Sequence, residues 1–261
     1  MSVRAKKHLG QHFLKDLTVC ERIVTSLNEE KNNFNKVLEI GPGMGALTQF
    51  LLREDDYQIA VIEIDKESVV YLQEHYPKLD NAIFDADFLK MDLRDTMSDD
   101  PFALVGNFPY NISSQILFKA LDYRQQIPVI VGMFQKEVAE RVAEKPGSKK
   151  YGILSVLLQA YYDIEYVFTI PPSAFNPPPK VDSGVIKLVR NQVQNLNCDE
   201  KRFVQVVKMA FNQRRKTLRN SLKPMIIDKG LDFGEHAALF QNRPEQLGVD
   251  KFVELTNLLA P

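Results

Sequence analysis

Three groups of residues have the types and spacing to do chemistry. The first is "EIGPGMGAL" (39–47), in which Gly41, Gly43 and Gly45 alternate with other residues. Such glycines allow a tight turn and let backbone approach a ligand closely. The spacing is G-x-G-x-G, so the dinucleotide pattern G-x-G-x-x-G is absent, and no G-K-[ST] follows to cradle a phosphate. A glycine turn with neither phosphate signature fits a nucleoside cofactor without phosphate, and S-adenosylmethionine is the leading candidate. The second group is a pair of acids. Glu63 lies 22 residues beyond Gly41, and Asp87 sits in "DADFL" (85–89). A carboxylate at Glu63 can accept both ribose hydroxyl protons, and Asp87 can accept from the exocyclic amine of adenine. Each has an ordinary alternative, a solvated strand-end Glu and a turn with a helix cap. Their order at successive strand ends favours the ligand. The third group is "NFPYNIS" (107–113), directly after the apolar "FALV" (102–105). It gathers an amide, an exposed carbonyl and an aromatic face where a buried strand stops, which is where ligands sit in open α/β sheets. Alone, it also fits a simple strand-to-turn signal.

The elements that must position these groups alternate. Apolar, β-branched runs recur at 36–40, 59–64, 82–84, 102–107 and 128–134, with helical stretches between them. That alternation implies βαβ units and a parallel sheet. After the turn-rich "KPGSKKYG" (145–152) comes an apolar helix candidate, "ILSVLLQAYY". Two further strands, "IEYVFTI" and "GVIKLVR" (184–190), flank the proline-rich "PPSAFNPPPKVDS" (171–183) and can pair antiparallel at the sheet's end. Seven strands are expected. The polar "NQVQNLNCDE" (191–200) reads as a linker, so the expected domains are 1–190, α/β, and 201–261, small and helical. In the latter, Phe203, Val207, Ala210, Phe211, Leu218 and Leu222 sit at helical spacing, and 244–259 closes the chain with another amphipathic helix.

Composition narrows the class. The 261 residues are 44% hydrophobic and 26% charged, which suits a globular protein of one large and one small domain. No apolar run approaches the ~20 residues of a membrane span, and the basic N-terminus lacks the apolar core and cleavage site of a secretory signal. Cys20 and Cys198 lie far apart without metal-type spacing, so a reduced, cytoplasmic, metal-free protein is expected. The net charge of −1 conceals two basic segments. Residues 1–15 hold Arg4, Lys6, Lys7 and Lys15 without an acid, and residues 201–223 hold eight Lys or Arg without an acid. Such segments suit a protein that grips a polyanion with one face, although a solvated basic helix would look the same.

These motifs, in this order, resemble those of the ribosomal RNA adenine dimethyltransferases, specifically the bacterial small-subunit (16S) enzymes. The resemblance spans almost the whole chain through "KKHLGQHFL" (6–14), "LEIGPGMGALT" (38–48), "VIEID" (61–65), "DADFL" (85–89), "GNFPYNIS" (106–113), "FNPPPKVDSGV" (175–185) and "FNQRRKTLRNSL" (211–222). It implies a Rossmann-like, seven-stranded S-adenosylmethionine-dependent methyltransferase sheet with a small C-terminal all-α domain. It places cofactor contacts at His12, Leu14, Gly41, Glu63, Asp87 and Asn107, with Gly43 in the same turn. The family usually has Asn where this chain has His12 and Leu where it has Phe108, so the contact at position 12 is through backbone or a different side chain.

The implied catalytic set is Asn107, Pro109, Tyr110 and Phe175. An adenine N6 amine is a poor nucleophile because its lone pair is delocalised into the ring. The Asn107 oxygen and a backbone carbonyl, of Phe108 or Pro109, can accept both of its N–H bonds and favour a pyramidal nitrogen. Tyr110 stacks on a base that has left its helical stack, Pro109 holds the turn rigid, and Phe175 supplies a second aromatic face or a core residue. A basic helix around Arg214, Arg215, Lys216 and Arg219 then binds RNA phosphates, and Lys6 and Lys7 extend that surface. The expected reaction is dimethylation of N6 on two adjacent adenines in a loop near the 3′ end of small-subunit rRNA during 30S biogenesis. The expected partner is an immature 30S particle, met by a monomer with no metal and no membrane contact. Alternatives are a small-subunit assembly factor and a large-subunit rRNA methyltransferase of the macrolide-resistance type. A DNA adenine methyltransferase usually carries Asn-Pro-Pro-Tyr rather than the Asn-Phe-Pro-Tyr found here. Mitochondrial transcription-factor relatives are disfavoured by the absent targeting segment.

Overall fold

A computed structural model describes residues 3–260. The chain forms two compact units, Met1–Ala139 with Asp163–Arg190, and Glu140–Tyr162 with Asn191–Pro261. The first is built on a seven-stranded sheet. Its strands are β2 (Lys36–Ile40), β3 (Gln58–Glu63), β4 (Ile83–Asp85), β5 (Phe102–Asn107), β6 (Val129–Gln135), β7 (Tyr162–Ile170) and β9 (Ser183–Arg190). A two-stranded ladder joins β1 (Phe13–Leu14) to β8 (Phe175–Asn176).

The sheet order is β4-β3-β2-β5-β6-β9-β7. Strands β4, β3, β2, β5 and β6 run parallel, and β9 pairs antiparallel with β6. The central strands are buried on both faces, Phe102 to Val105 fully, which explains their continuous apolar runs. From β2 the chain steps outward to β3 and β4, then returns to lay β5 on the other side of β2. That reversal opens a crevice at the carboxyl ends of β2 and β5. Gly41 and Asn107 sit there.

The second unit is helical. Helices Glu200–Asn212 and Val249–Leu258 pack together, and both meet Ile153–Gln159. Asp199 caps Glu200–Asn212 by accepting the Arg202 N–H at 2.7 Å. The sequence places one boundary at 191–200; the structure adds a second, because 140–162 belong with the C-terminal helices. Ile153–Gln159 buries Leu154 through Leu158 in succession. A helix without a polar face must be covered on more than one side. Among the described residues no helix is long and apolar enough to cross a membrane.

Candidate active site

A cleft opens at the crevice between β2 and β5, lined in part by Gly41, Gly43, Glu63, Asp87, Asn107 and Tyr110. Its floor is the glycine turn after β2. Gly43 has φ +56°, and a Cβ there would lie 2.8 Å from the Phe13 ring, so the turn needs glycine on both counts. The Gly43 N–H donates to Glu63 Oε2 at 3.0 Å, and the N–H groups of Ile64 and Asp65 donate to Oε1 at 2.9 Å each. Glu63 is 4% exposed. Burial pushes its carboxyl above the ordinary range, while the three backbone donors pull it back down. A carboxylate offers about four acceptor positions. Three are used by backbone, and one is left for a hydroxyl.

Asp87 lies across the cleft. Its Oδ1 accepts the Leu89 N–H at 3.0 Å, and its Oδ2 is 3.3 Å from Lys90 Nζ. The loop after Asp87 is held from behind by Lys119, whose ammonium donates to the carbonyls of Phe88 and Met91 and stands 5.0 Å from the Phe88 ring centre. Lys119 carries no motif signal in sequence. Lys119 sits on helix Ser113–Asp122, far along the chain from the loop it fixes.

The Asn107–Tyr110 turn is shaped by the residues beneath it. Gly106 and Gly132 are paired across β5 and β6, and the buried Phe108 ring lies over both. A Cβ on Gly132 would fall 2.2 Å from that ring. Phe108 also meets Phe134 edge-on at 5.1 Å, so the turn is seated on an aromatic wedge. The Asn107 Nδ2 donates to the His12 carbonyl at 2.8 Å. A carbonyl only accepts, so the amide is oriented with Oδ1 as its unspent acceptor. Pro109 already gives its carbonyl to the Ile112 N–H at 3.1 Å. Tyr110 is half-buried, and its hydroxyl meets Ser183 Oγ at 2.5 Å. Burial raises the Tyr110 phenol, and the Ser183 contact opposes that rise.

The N-terminal segment forms one wall of the cleft. His12 stacks on Tyr110 with ring centres 5.5 Å apart, and its Nδ1 lies 2.8 Å from the Pro177 carbonyl. Its backbone serves Asn107, so position 12 contributes through main chain and ring together. Asp65 is 2% exposed; it takes Lys6 Nζ on Oδ1 and Gln11 Nε2 at 3.1 Å on Oδ2. Those hydrogen bonds hold the Asp65 carboxyl below its usual range against the opposing effect of burial. Gln11 and Asp65 escaped the sequence reading, because their link spans 54 residues.

Several expected residues are placed differently. Phe175, paired with Leu14, is 1% exposed in the hydrophobic core, which fits its core alternative, and it is not among the residues that line the cleft. Leu14 lines an adjoining chamber with Phe13, Gly41, Asn107 and Glu39. Glu39, missed in sequence, is 1% exposed, accepts the Thr48 hydroxyl at 2.7 Å, and is pushed up to about 8 by burial. Lys6 is committed to Asp65 and Glu67, while Lys7 is exposed. Arg214, Arg215 and Lys216 lie in a turn between helices Glu200–Asn212 and Leu218–Ser221, not on a helix. The first helix ends at Asn212, and an extended Thr217 precedes the second. Arg219 is on the second of these helices, 4.8 Å over the Phe233 ring.

Among the described residues the cleft lining includes two carboxylates and no lysine or arginine. Such a lining suits a ligand without phosphate that carries positive charge.

Comparison with known proteins identifies the family. The pattern of the family described as ribosomal RNA adenine dimethylase matches residues 2–260. The ribosomal RNA small subunit methyltransferase A of Cytophaga hutchinsonii is 56% identical over 258 residues, covering 99% of this chain and 98% of that one. Its namesake from Bacteroides thetaiotaomicron is 56% identical over 98% of this chain and 94% of its own. A dimethyladenosine transferase from Plasmodium falciparum has a TM-score of 0.76 at 25% identity, covering 94% of this chain and 96% of that one. The 23S rRNA methyltransferase ErmE has a TM-score of 0.62 at 27% identity, covering 94% and 99%. Matched from end to end in sequence and carrying its motifs on the strand ends of a methyltransferase sheet, this chain belongs to the ribosomal RNA adenine dimethylase family.

Proposed function

We propose that this protein transfers methyl groups from S-adenosylmethionine to N6 of two adjacent adenines near the 3′ end of small-subunit rRNA, giving N6,N6-dimethyladenine. The observation that carries the reading is the oriented Asn107 amide. Its Nδ2 is spent on His12, and its Oδ1 is left to accept an N6 proton at the switch point of the sheet. The second acceptor is the Phe108 carbonyl, since the Pro109 carbonyl serves the turn. Two accepted protons in the first transfer, and the one that remains in the second, favour a pyramidal N6 and aim its lone pair, so the protein acts by position and electrostatics. Tyr110 offers its ring face to the extruded base, steadied by His12 and Ser183. Glu63 accepts from a ribose hydroxyl at the one position its three backbone donors leave open, and Asp87 accepts from the adenine amine, while the glycine turn admits the cofactor to backbone. The cofactor would supply an electrophilic methyl group on a sulfonium, whose sulfur leaves as a neutral thioether; the alkylated N6, now positively charged, loses one of its own protons to water.

The substrate is an immature 30S particle, the protein acts as a cytoplasmic monomer, and no metal takes part. Small-subunit RNA is favoured over large-subunit RNA because the 56% identical relatives bear the small-subunit name, against 27% identity to the 23S enzyme. Purified protein, labelled S-adenosylmethionine and separate 30S and 50S subunits from a deletion strain test this. Mass spectrometry should find paired dimethyladenines in small-subunit rRNA. Label confined to 23S rRNA, or binding without transfer, would sink the reading in favour of a large-subunit enzyme or an assembly factor.

A further inference from the structure

Resting on that RNA reading, we propose that Arg214 is a tie rather than a phosphate contact. It joins two loops of the second unit into one phosphate-binding surface, to which Lys149 contributes beside Arg215 and Lys216. The Arg214 Nη2 donates to the carbonyl of Lys149 at 2.7 Å, across 65 residues of chain, and reaches that of Tyr151 at 3.3 Å. The loop so gripped, 145–152, is anchored twice more. The Gly147 N–H donates to the Glu245 carbonyl at 2.7 Å, and the buried Tyr151 ring faces Phe211 at 6.4 Å. Arg214 is only partly exposed, in keeping with a guanidinium turned toward protein.

The cations around it are disposed differently. Lys149, Arg215 and Lys216 are exposed, and among the described residues their side chains have no hydrogen bond or ion pair. Lys150 is engaged with Glu140 at 2.6 Å. Structured RNA is bound largely through its backbone, and each phosphate neutralised releases counterions. A loop already held in place also loses less conformational freedom on binding. Arg214 therefore acts through the position of Lys149, and Lys149 through charge.

Filter binding of unmethylated 30S subunits across a potassium chloride series tests this. Lys149→Gln should weaken binding and flatten the plot of log affinity against log salt by roughly one unit, as for a lost phosphate contact. Arg214→Gln should weaken binding too, and adding Lys149→Gln to it should cost nothing further, because the displaced loop has already lost its contact. Fold effects that multiply in the double variant would make Arg214 an independent contact and overturn the proposal. So would wild-type affinity and slope in Lys149→Gln, a surface change that keeps the test valid if Arg214→Gln misfolds. Wild-type protein that binds these subunits without salt dependence would overturn the RNA reading as well.

Discussion

At the scale of single residues, the site depends on side chains whose hydrogen bonds are partly spent inside the protein. Asn107 gives its Nδ2 to His12, so Asn107→Ala removes both an oriented acceptor and an anchor of the N-terminal segment. Single-turnover methylation should fall far more than affinity for 30S subunits, which phosphate contacts maintain; a wild-type rate would remove Asn107 from the chemistry. Glu63 presents one free acceptor position after serving three backbone donors. Glu63→Gln places an amide against those donors and withdraws the charge from the ribose hydroxyl it is proposed to hold. Hydrogen bonds to charged groups are worth about 1.5–3 kcal/mol, so affinity for S-adenosylmethionine should drop roughly ten- to a hundred-fold by calorimetry. Both residues were legible in sequence because each ends a strand. Their internal partners were not.

At the scale of elements, strand ends and loops are fixed by groups contributed from elsewhere. The 86–92 loop is held by Lys119 on helix Ser113–Asp122, which satisfies two of its carbonyls. Lys119→Met keeps an unbranched side chain one atom shorter and removes the donors. Stability should fall by about 1.5–3 kcal/mol, as for a lost charged hydrogen bond. Cofactor affinity should fall with it while turnover at saturating cofactor stays near wild type. A reduced saturating rate with unchanged affinity would contradict a positioning role. The same logic explains Gly106 and Gly132, which sequence marks only as glycines in strands. Paired in register, they make the space that Phe108 fills.

At the scale of the whole molecule, burial of Glu39 links stability to pH. Its carboxyl ordinarily titrates near 4.5 and is pushed up to about 8, first by burial and also by the charge of Glu63. The folded form therefore holds this proton more tightly than the unfolded chain. Its contribution to stability is complete below pH 4.5 and is lost as the pH rises through 8. The loss across that window is at most about 5 kcal/mol. Glu39→Gln keeps an acceptor for Thr48 and cannot ionise, so thermal melts from pH 5 to 9 should show the wild type losing stability relative to the variant. Parallel curves would mean that Glu39 stays ionised throughout.

The sequence by itself determined the seven-stranded sheet and the strand-end positions of Gly41, Glu63, Asp87 and Asn107. Those features follow from local alternation of apolar runs and turns, which burial on both sheet faces enforces. It also marked both basic segments. Only the tertiary structure decided that Phe175 is core, that residues 140–162 join the C-terminal helices, and that Lys6 is held by Asp65. Only it brought Arg214 to Lys149, Lys119 to the Asp87 loop and His12 to Asn107. These are pairings between residues far apart in the chain. Composition and periodicity give a segment its type, but a hydrogen bond or an inward ring depends on which distant segment folding sets against it.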